Sequence, residues 1–250
     1  MEGKPEKSDK SVYGKASNPI TVISYLSDFM SFLYPKYCNG CKRTLAKGEK
    51  CLCSHCVSNL PQTNFHTYEN NPIEMVFAGR IPVCRAVAFC FFRQGNIMQN
   101  IVHQLKYAGN MEIGIYLGYL FGLSLKENKV FETVDIILPI PLHKKKFKTR
   151  GYNQSACIAK GMARALSKPV DTKSLTRIVA TSTQTKKTRY ARWENISDVF
   201  QLIVPEKLAG KHILLVDDIV TTGSTIESAA QQLLTLEDIK ISVACLGFAV

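Results

Sequence analysis

The chain has 250 residues, 46% of them hydrophobic, and a formal net charge of +12. That is enough apolar residue for a sizeable core, which excludes a wholly disordered protein and fits one main domain with a small appendage. Its nine cysteines are odd in number, and four fall in two C-x-x-C pairs, which argues against a disulfide framework and for a metal site in a reducing compartment.

Residues 1–18 are polar and charged and read as a flexible tail. From Ile20 to Leu33 apolar residues recur at 22/23, 26, 29/30 and 33, the spacing of an amphipathic helix that packs on a core or, alternatively, lies on a membrane surface. It is too short and too polar to span a bilayer, and no small-residue cleavage site follows. The expectation is therefore a cytoplasmic protein with no transmembrane segment.

Cys38-x-x-Cys41 and Cys53-x-x-Cys56 are separated by 11 residues, with Lys47-Gly48-Glu49 as a turn between them. Four thiolates on two such knuckles make a closed tetrahedral site whose usual occupant is Zn²⁺, in a structural role. Lys36, Lys42, Arg43, Lys47 and Lys50 favour the thiolate forms. Cys51 and His55 are alternative ligands, but Cys53 with Cys56 keeps the knuckle spacing. Cys84, Cys90, Cys157 and Cys245 read as buried small residues. Helix and finger together span residues 19–62, and the main domain spans 63–250.

Strands are expected near 83–92, then helices over Ile97–Tyr107, closed by Gly109, and over about 112–125. The strand Val134–Leu138 feeds a rigid, lysine-dense loop and a further helix, the place where a doubly wound sheet puts its ligands. Residues 139–192 hold 14 Lys or Arg against the single acid Asp171, whereas the rest of the chain has 18 basic and 19 acidic residues. One segment therefore supplies the whole excess charge, a field that attracts a pyrophosphate or a nucleic acid backbone.

The apolar run from His212 ends in Asp217-Asp218 and continues as Ile219-Val220-Thr221-Thr222-Gly223-Ser224-Thr225. The two acids offer acceptors for ribose hydroxyls. The N–H groups of residues 221–225 at a helix start offer an anion site, with Gly223 permitting a positive φ and the four hydroxyls adding donors. A capped helix would account for one hydroxyl and not for the paired carboxylates.

This last string resembles the ribose-phosphate signature of type I phosphoribosyltransferases. In order along the chain, the two cysteine pairs, Leu105-Lys106-Tyr107-x-Gly109, Pro139-Ile140-Pro141-Leu142-His143, Arg150-Gly151-Tyr152-Asn153-Gln154, Arg177, Thr183-Gln184-Thr185, Arg189 and the Asp217–Thr225 run resemble the ComF family from about residue 32 onward. These are bacterial phosphoribosyltransferase-like proteins with an amino-terminal double zinc ribbon-type finger. The resemblance implies an α/β domain of type I phosphoribosyltransferase kind, a parallel sheet with helices on both faces behind a small four-cysteine zinc finger. It implies phosphoribosyl pyrophosphate and Mg²⁺ at Asp217, Asp218, Thr221, Thr222, Gly223, Ser224 and Thr225, with the two acids serving catalysis. Lys144, Arg150 and Arg189 would meet pyrophosphate, from the 139–153 loop and from a basic hood over residues 178–192 that also holds Thr183, Gln184, Lys186, Lys187 and Arg192. No acceptor pocket or general base is legible. Phe147, Tyr152, Tyr190 and Trp193 interleave with the basic residues, which suits single-stranded DNA as an alternative partner. The family also implies DNA-uptake proteins as partners.

Overall fold

The computed structural model describes residues 34–178 and 199–250. The chain divides into two compact units, Met1–Tyr37 and Cys38–Val250. The tail, the Ile20–Leu33 segment and almost all of the basic hood, Arg189 included, lie outside the described residues.

In the larger unit a cysteine-rich segment ends in the short helix α1 (Ser54–Ser58), and α2 (Pro72–Phe77) begins in a capping box formed by Asn71 and Glu74. Strand β1 (Arg85–Phe92) leads to α3 (Ile97–Tyr107) and α4 (Met111–Leu125), whose first turns are capped by Asn96 and Asn110. A helical turn α5 (Lys129–Glu132) precedes β2 (Ile136–Pro139), then α6 (Lys144–Arg150) and α7 (Gln154–Leu166). Strands β3 (Leu175–Arg177) and β4 (Phe200–Leu202) form a separate antiparallel pair, and β5 (His212–Val220), α8 (Ser224–Leu233) and β6 (Lys240–Ala249) complete the chain.

The main sheet has four parallel strands in the order β1-β6-β5-β2. Its central strands are near-continuous apolar runs because both faces are covered. Val170 adds a parallel bridge outside β2, so the connections through α3 and α4 and through α7 step outward across the sheet, while the one through α8 steps back. Right-handed crossovers put the first set on one face and α8 on the other.

The helices α4 and α7 meet almost backbone to backbone. A Cβ on Gly118 would stand 2.1 Å from the Ile158 carbonyl oxygen, and one on Gly161 2.1 Å from that of Ile115. Gly114 and Gly122 extend this seam along one face of α4, where side chains of Leu105, Cys157 and Ala165 fill the space.

Two sequence expectations change. The lysine-dense stretch is a helix, not a loop: the His143 side chain accepts from Lys145 N at 3.2 Å, and Gly151 closes α6 at φ 81°. Cys84 is exposed, unlike the buried Cys90, Cys157 and Cys245, because it stands just before β1 where the sheet begins. Among the described residues no helix is long and apolar enough to cross a membrane.

Candidate functional site

The sulfurs of Cys38, Cys41, Cys53 and Cys56 all lie within 4.8 Å of one another, with Cys41 and Cys53 Sγ 3.7 Å apart. A tetrahedron of thiolates around zinc at about 2.3 Å needs this spacing, so the four suit a metal ion such as zinc. The loop builds the cluster from its backbone. Lys42 N donates to Cys38 O at 2.9 Å, and Asn39 N to Cys51 O at 3.0 Å. Glu49 accepts from Ala46 N and Ser54 N at 2.8 and 2.6 Å, which joins the two knuckles. Hydrogen bonds from the Arg43 backbone and side chain lower the Cys41 thiol to about 6, while burial pushes Cys56 up. Cys51 and His55 stand outside the four.

The knuckle is anchored to the sheet-covering helices. Asn110 Nδ2 donates to Asn39 Oδ1 at 2.9 Å and Asn100 Nδ2 to Gly40 O at 3.3 Å, and a Cβ on Gly40 would strike Ile97.

The second site lies along β5. Asp217 and Asp218 are both buried, and the strand continues past them, with Ile219 and Val220 still paired to β6. Each acid is held from α7 or α3. Ser155 Oγ donates to Asp217 Oδ1 at 2.9 Å, Gln154 Nε2 donates to Asp218 Oδ2 at 2.9 Å, and Lys106 Nζ reaches the same oxygen at 2.9 Å. Burial, and the neighbouring Asp218 charge, raise Asp217 to about 7. Arg177, at the end of β3 over the Phe200 ring at 5.3 Å, adds positive charge near it.

The Arg150–Gln154 run builds this wall residue by residue. Arg150 bonds Gln154 Oε1 and lies 5.8 Å from the Tyr107 ring centroid. The buried Tyr152 hydroxyl donates to Leu105 O, so this aromatic belongs to the core. Asn153 Nδ2 donates to Ile140 O at 2.9 Å while its Oδ1 caps α7 at Ser155 N. Lys144 is exposed at the other end of α6 and, among the described residues, makes no contact with the acids.

Beyond Val220 the chain turns through Thr221 and Thr222, both exposed, to Gly223 at φ 74°, which begins α8 with no side-chain cap. The first N–H groups of α8 therefore face a concavity lined by Asp217 and by residues 219–226, an arrangement suited to an anion. Thr222 Oγ1 and Ser224 Oγ lie 3.0 Å apart at its rim. The structure thus joins the acids, the turn and Arg150 through Gln154. Lys106, Gln154 and Ser155 were not singled out from the sequence as partners of the acids. A lysine at a helix end gives no sign of what it reaches; for the other two, the only signal was that they directly follow the Asn153 cap.

Residues 153–250 match the family model of the phosphoribosyl transferase domain. The chain is 31% identical over 212 residues to the DNA utilization protein YhgH of Escherichia coli (strain K12), covering 84% of this chain and 88% of that one. It is 25% identical over 215 residues to Competence protein F of Haemophilus influenzae, covering 82% and 87%. Competence protein ComFC of Bacillus subtilis is 28% identical over 144 residues, covering 57% and 56%.

Proposed function

Because the chain belongs to the ComF family of phosphoribosyltransferase-like proteins, we propose that it binds phosphoribosyl pyrophosphate with Mg²⁺ along β5 and transfers the phosphoribosyl group to an acceptor. The observation that carries this reading is the pair of buried carboxylates, each held by a donor from another element, next to an uncapped helix start. Two bare carboxylates would not be buried side by side without a task, since burial and mutual repulsion both disfavour their charge.

In this reading the 221–225 turn takes the 5-phosphate through N–H and hydroxyl donors. Asp217 and Asp218 accept from the ribose hydroxyls, and their negative charge steadies the positive charge that grows at the anomeric carbon as pyrophosphate leaves. Asp218 Oδ2 is already occupied by Lys106 and Gln154, so these carboxylates suit the sugar, and their remaining oxygens would help to hold a hard cation such as Mg²⁺. Mg²⁺ supplies charge neutralisation of the leaving pyrophosphate. Arg150 and Lys144, from the two ends of α6, and Arg189 add to it. The cysteine knuckle holds Zn²⁺ as a closed thiolate site that stabilises folding.

Calorimetric titration with phosphoribosyl pyrophosphate tests this. One molecule is expected to bind per chain, with Mg²⁺ required. At a hundredfold excess over the dissociation constant the gain is about 2.7 kcal/mol, a rise of roughly 5–10 °C in melting temperature. Absence of heat and of any melting shift at millimolar ligand defeats the proposal.

A second reading, single-stranded DNA binding in DNA uptake, is favoured by one observation: Phe147 is 49% exposed among the lysines of α6, and Tyr107 is 72% exposed beside Arg150. Lysines neutralise phosphates while exposed rings stack bases, at about 1–3 kcal/mol per base. Replacing Phe147 by Ala should weaken binding of an oligonucleotide at every salt concentration, whereas Lys145→Ala should flatten the salt dependence. Salt-independent binding, or none, removes this reading.

A further inference from the structure

The turn after β5 is fastened from outside the site. Arg80, three residues beyond α2, sends Nη1 to the carbonyl oxygen of Thr222 at 2.6 Å and to that of Val76 at 3.0 Å, and pairs through Nη2 with Glu227 on α8. Its guanidinium therefore ties the end of α2 to two neighbouring points of a segment far away in sequence, the turn and the first turn of α8. A planar fork serves all three from two nitrogens set at a fixed distance, a geometry that the single ammonium of a lysine does not reproduce.

The consequence lies in the peptide unit between Thr222 and Gly223. In a trans peptide the carbonyl and the following N–H point in opposite directions. With the Thr222 oxygen drawn toward Arg80, the Gly223 N–H is turned to the other side. Gly223 cooperates: it sits at φ 74°, and any Cβ there would come within 2.8 Å of Val76 and Phe77. The same short helix that positions Arg80 thus also closes the back of the turn. If the 222–223 peptide rotated by half a turn, a carbonyl oxygen would face the anion in place of an N–H.

We infer that Arg80 is a positioning residue for the phosphate end of the donor, acting by fixing the orientation of the 222–223 peptide. The inference rests on the donor-site reading above for its ligand, while the hold on the peptide itself does not.

Two measurements separate these. In the unliganded protein, the ¹⁵N order parameter of the Gly223 amide should be about 0.85 in wild type and fall below about 0.6 in Arg80→Ala. An unchanged value overturns the inference whatever any ligand does. Titrations then use ribose 5-phosphate and pyrophosphate as separate probes of the two ends of the site. Arg80→Ala should bind ribose 5-phosphate at least about tenfold more weakly, a change of about 1.4 kcal/mol, and pyrophosphate as wild type does. Arg80→Lys should recover little, because one ammonium cannot reproduce the fork. Parallel loss of both ligands together with a lower melting temperature would mean general loosening and would also overturn it. Failure of wild type to bind either probe sinks the donor-site reading alone, leaving the order parameter to decide the role of Arg80.

Discussion

Exchange of Asp217 and Asp218 together for asparagine is expected to lower affinity for Mg²⁺ and phosphoribosyl pyrophosphate at least about a hundredfold while the protein remains folded. Hydrogen bonds to charged groups are worth about 1.5–3 kcal/mol each, and the double variant replaces both carboxyl groups by neutral amides of the same shape. The fold should tolerate this because Asp217 is itself under electrostatic load. Burial, and the charge of Asp218, raise Asp217 from 3.8 to about 7. A carboxyl with a folded value above its unfolded one binds its proton more tightly when folded, so its contribution to stability falls as pH rises from about 4 to about 7. Asp217→Asn removes that loss. Its melting temperature relative to wild type should therefore climb over that interval, read by calorimetric scans between about pH 4 and 8. A double variant with wild-type affinity would show that the carboxylates do not meet the ribose, and a flat pH comparison would show that Asp217 titrates without burden.

Substitution of Gly118 by valine is expected to be the most damaging single change to the fold. The new Cβ would stand 2.1 Å from the Ile158 carbonyl oxygen and 2.9 Å from the Ile158 Cα. The obstruction is backbone, not the movable end of a side chain, so α4 and α7 would have to separate. Overpacking ordinarily costs about 1–3 kcal/mol and sometimes more, and here the displaced helix begins with Gln154 and Ser155, which hold the acids. The variant should be largely insoluble or melt at least about 5 °C lower, measured by scanning fluorimetry, and any soluble fraction should have lost donor binding. Exposed Tyr119, one residue along the same helix, offers the control: Tyr119→Ala should change the melting temperature little.

The elements with strong periodicity were readable from residues alone. Ile97–Tyr107 follows apolar spacing and end signals, and β1 and β5 announce themselves as apolar runs; the helix expected at about 112–125 is apolar nearly all round, so length and not period marks it. The Lys144–Arg150 helix escaped because none of its residues is buried, so it has no apolar face for periodicity to detect; only His143 before it and Gly151 after it mark its ends. The alternation of strand and helix runs suggests a parallel sheet, but the order of its strands does not follow from local pattern, since it depends on which edges meet. Within the candidate sites, the cysteine quartet and the Asp217–Thr225 run were legible because each is contiguous or regularly spaced. Lys106 and Arg80 were not, because each acts on residues far along the chain, and a basic side chain near a helix end is common on any surface. Cys84 shows the opposite error, a small residue read as core because of its apolar neighbours.

The cysteine knuckle meets α3 at Ile97 and Asn100, and the far end of the same helix carries Lys106 to Asp218. About two and a half turns of rigid helix thus run from the thiolate cluster to a carboxylate of the other site. The knuckle is in effect the abutment on which that helix rests, so a change at the sulfurs is expected to be felt by the ammonium group beside β5. Oxidants and chelators, which ordinarily reach a protein through its exposed chemistry, would here have a mechanical route to a carboxylate that is itself buried.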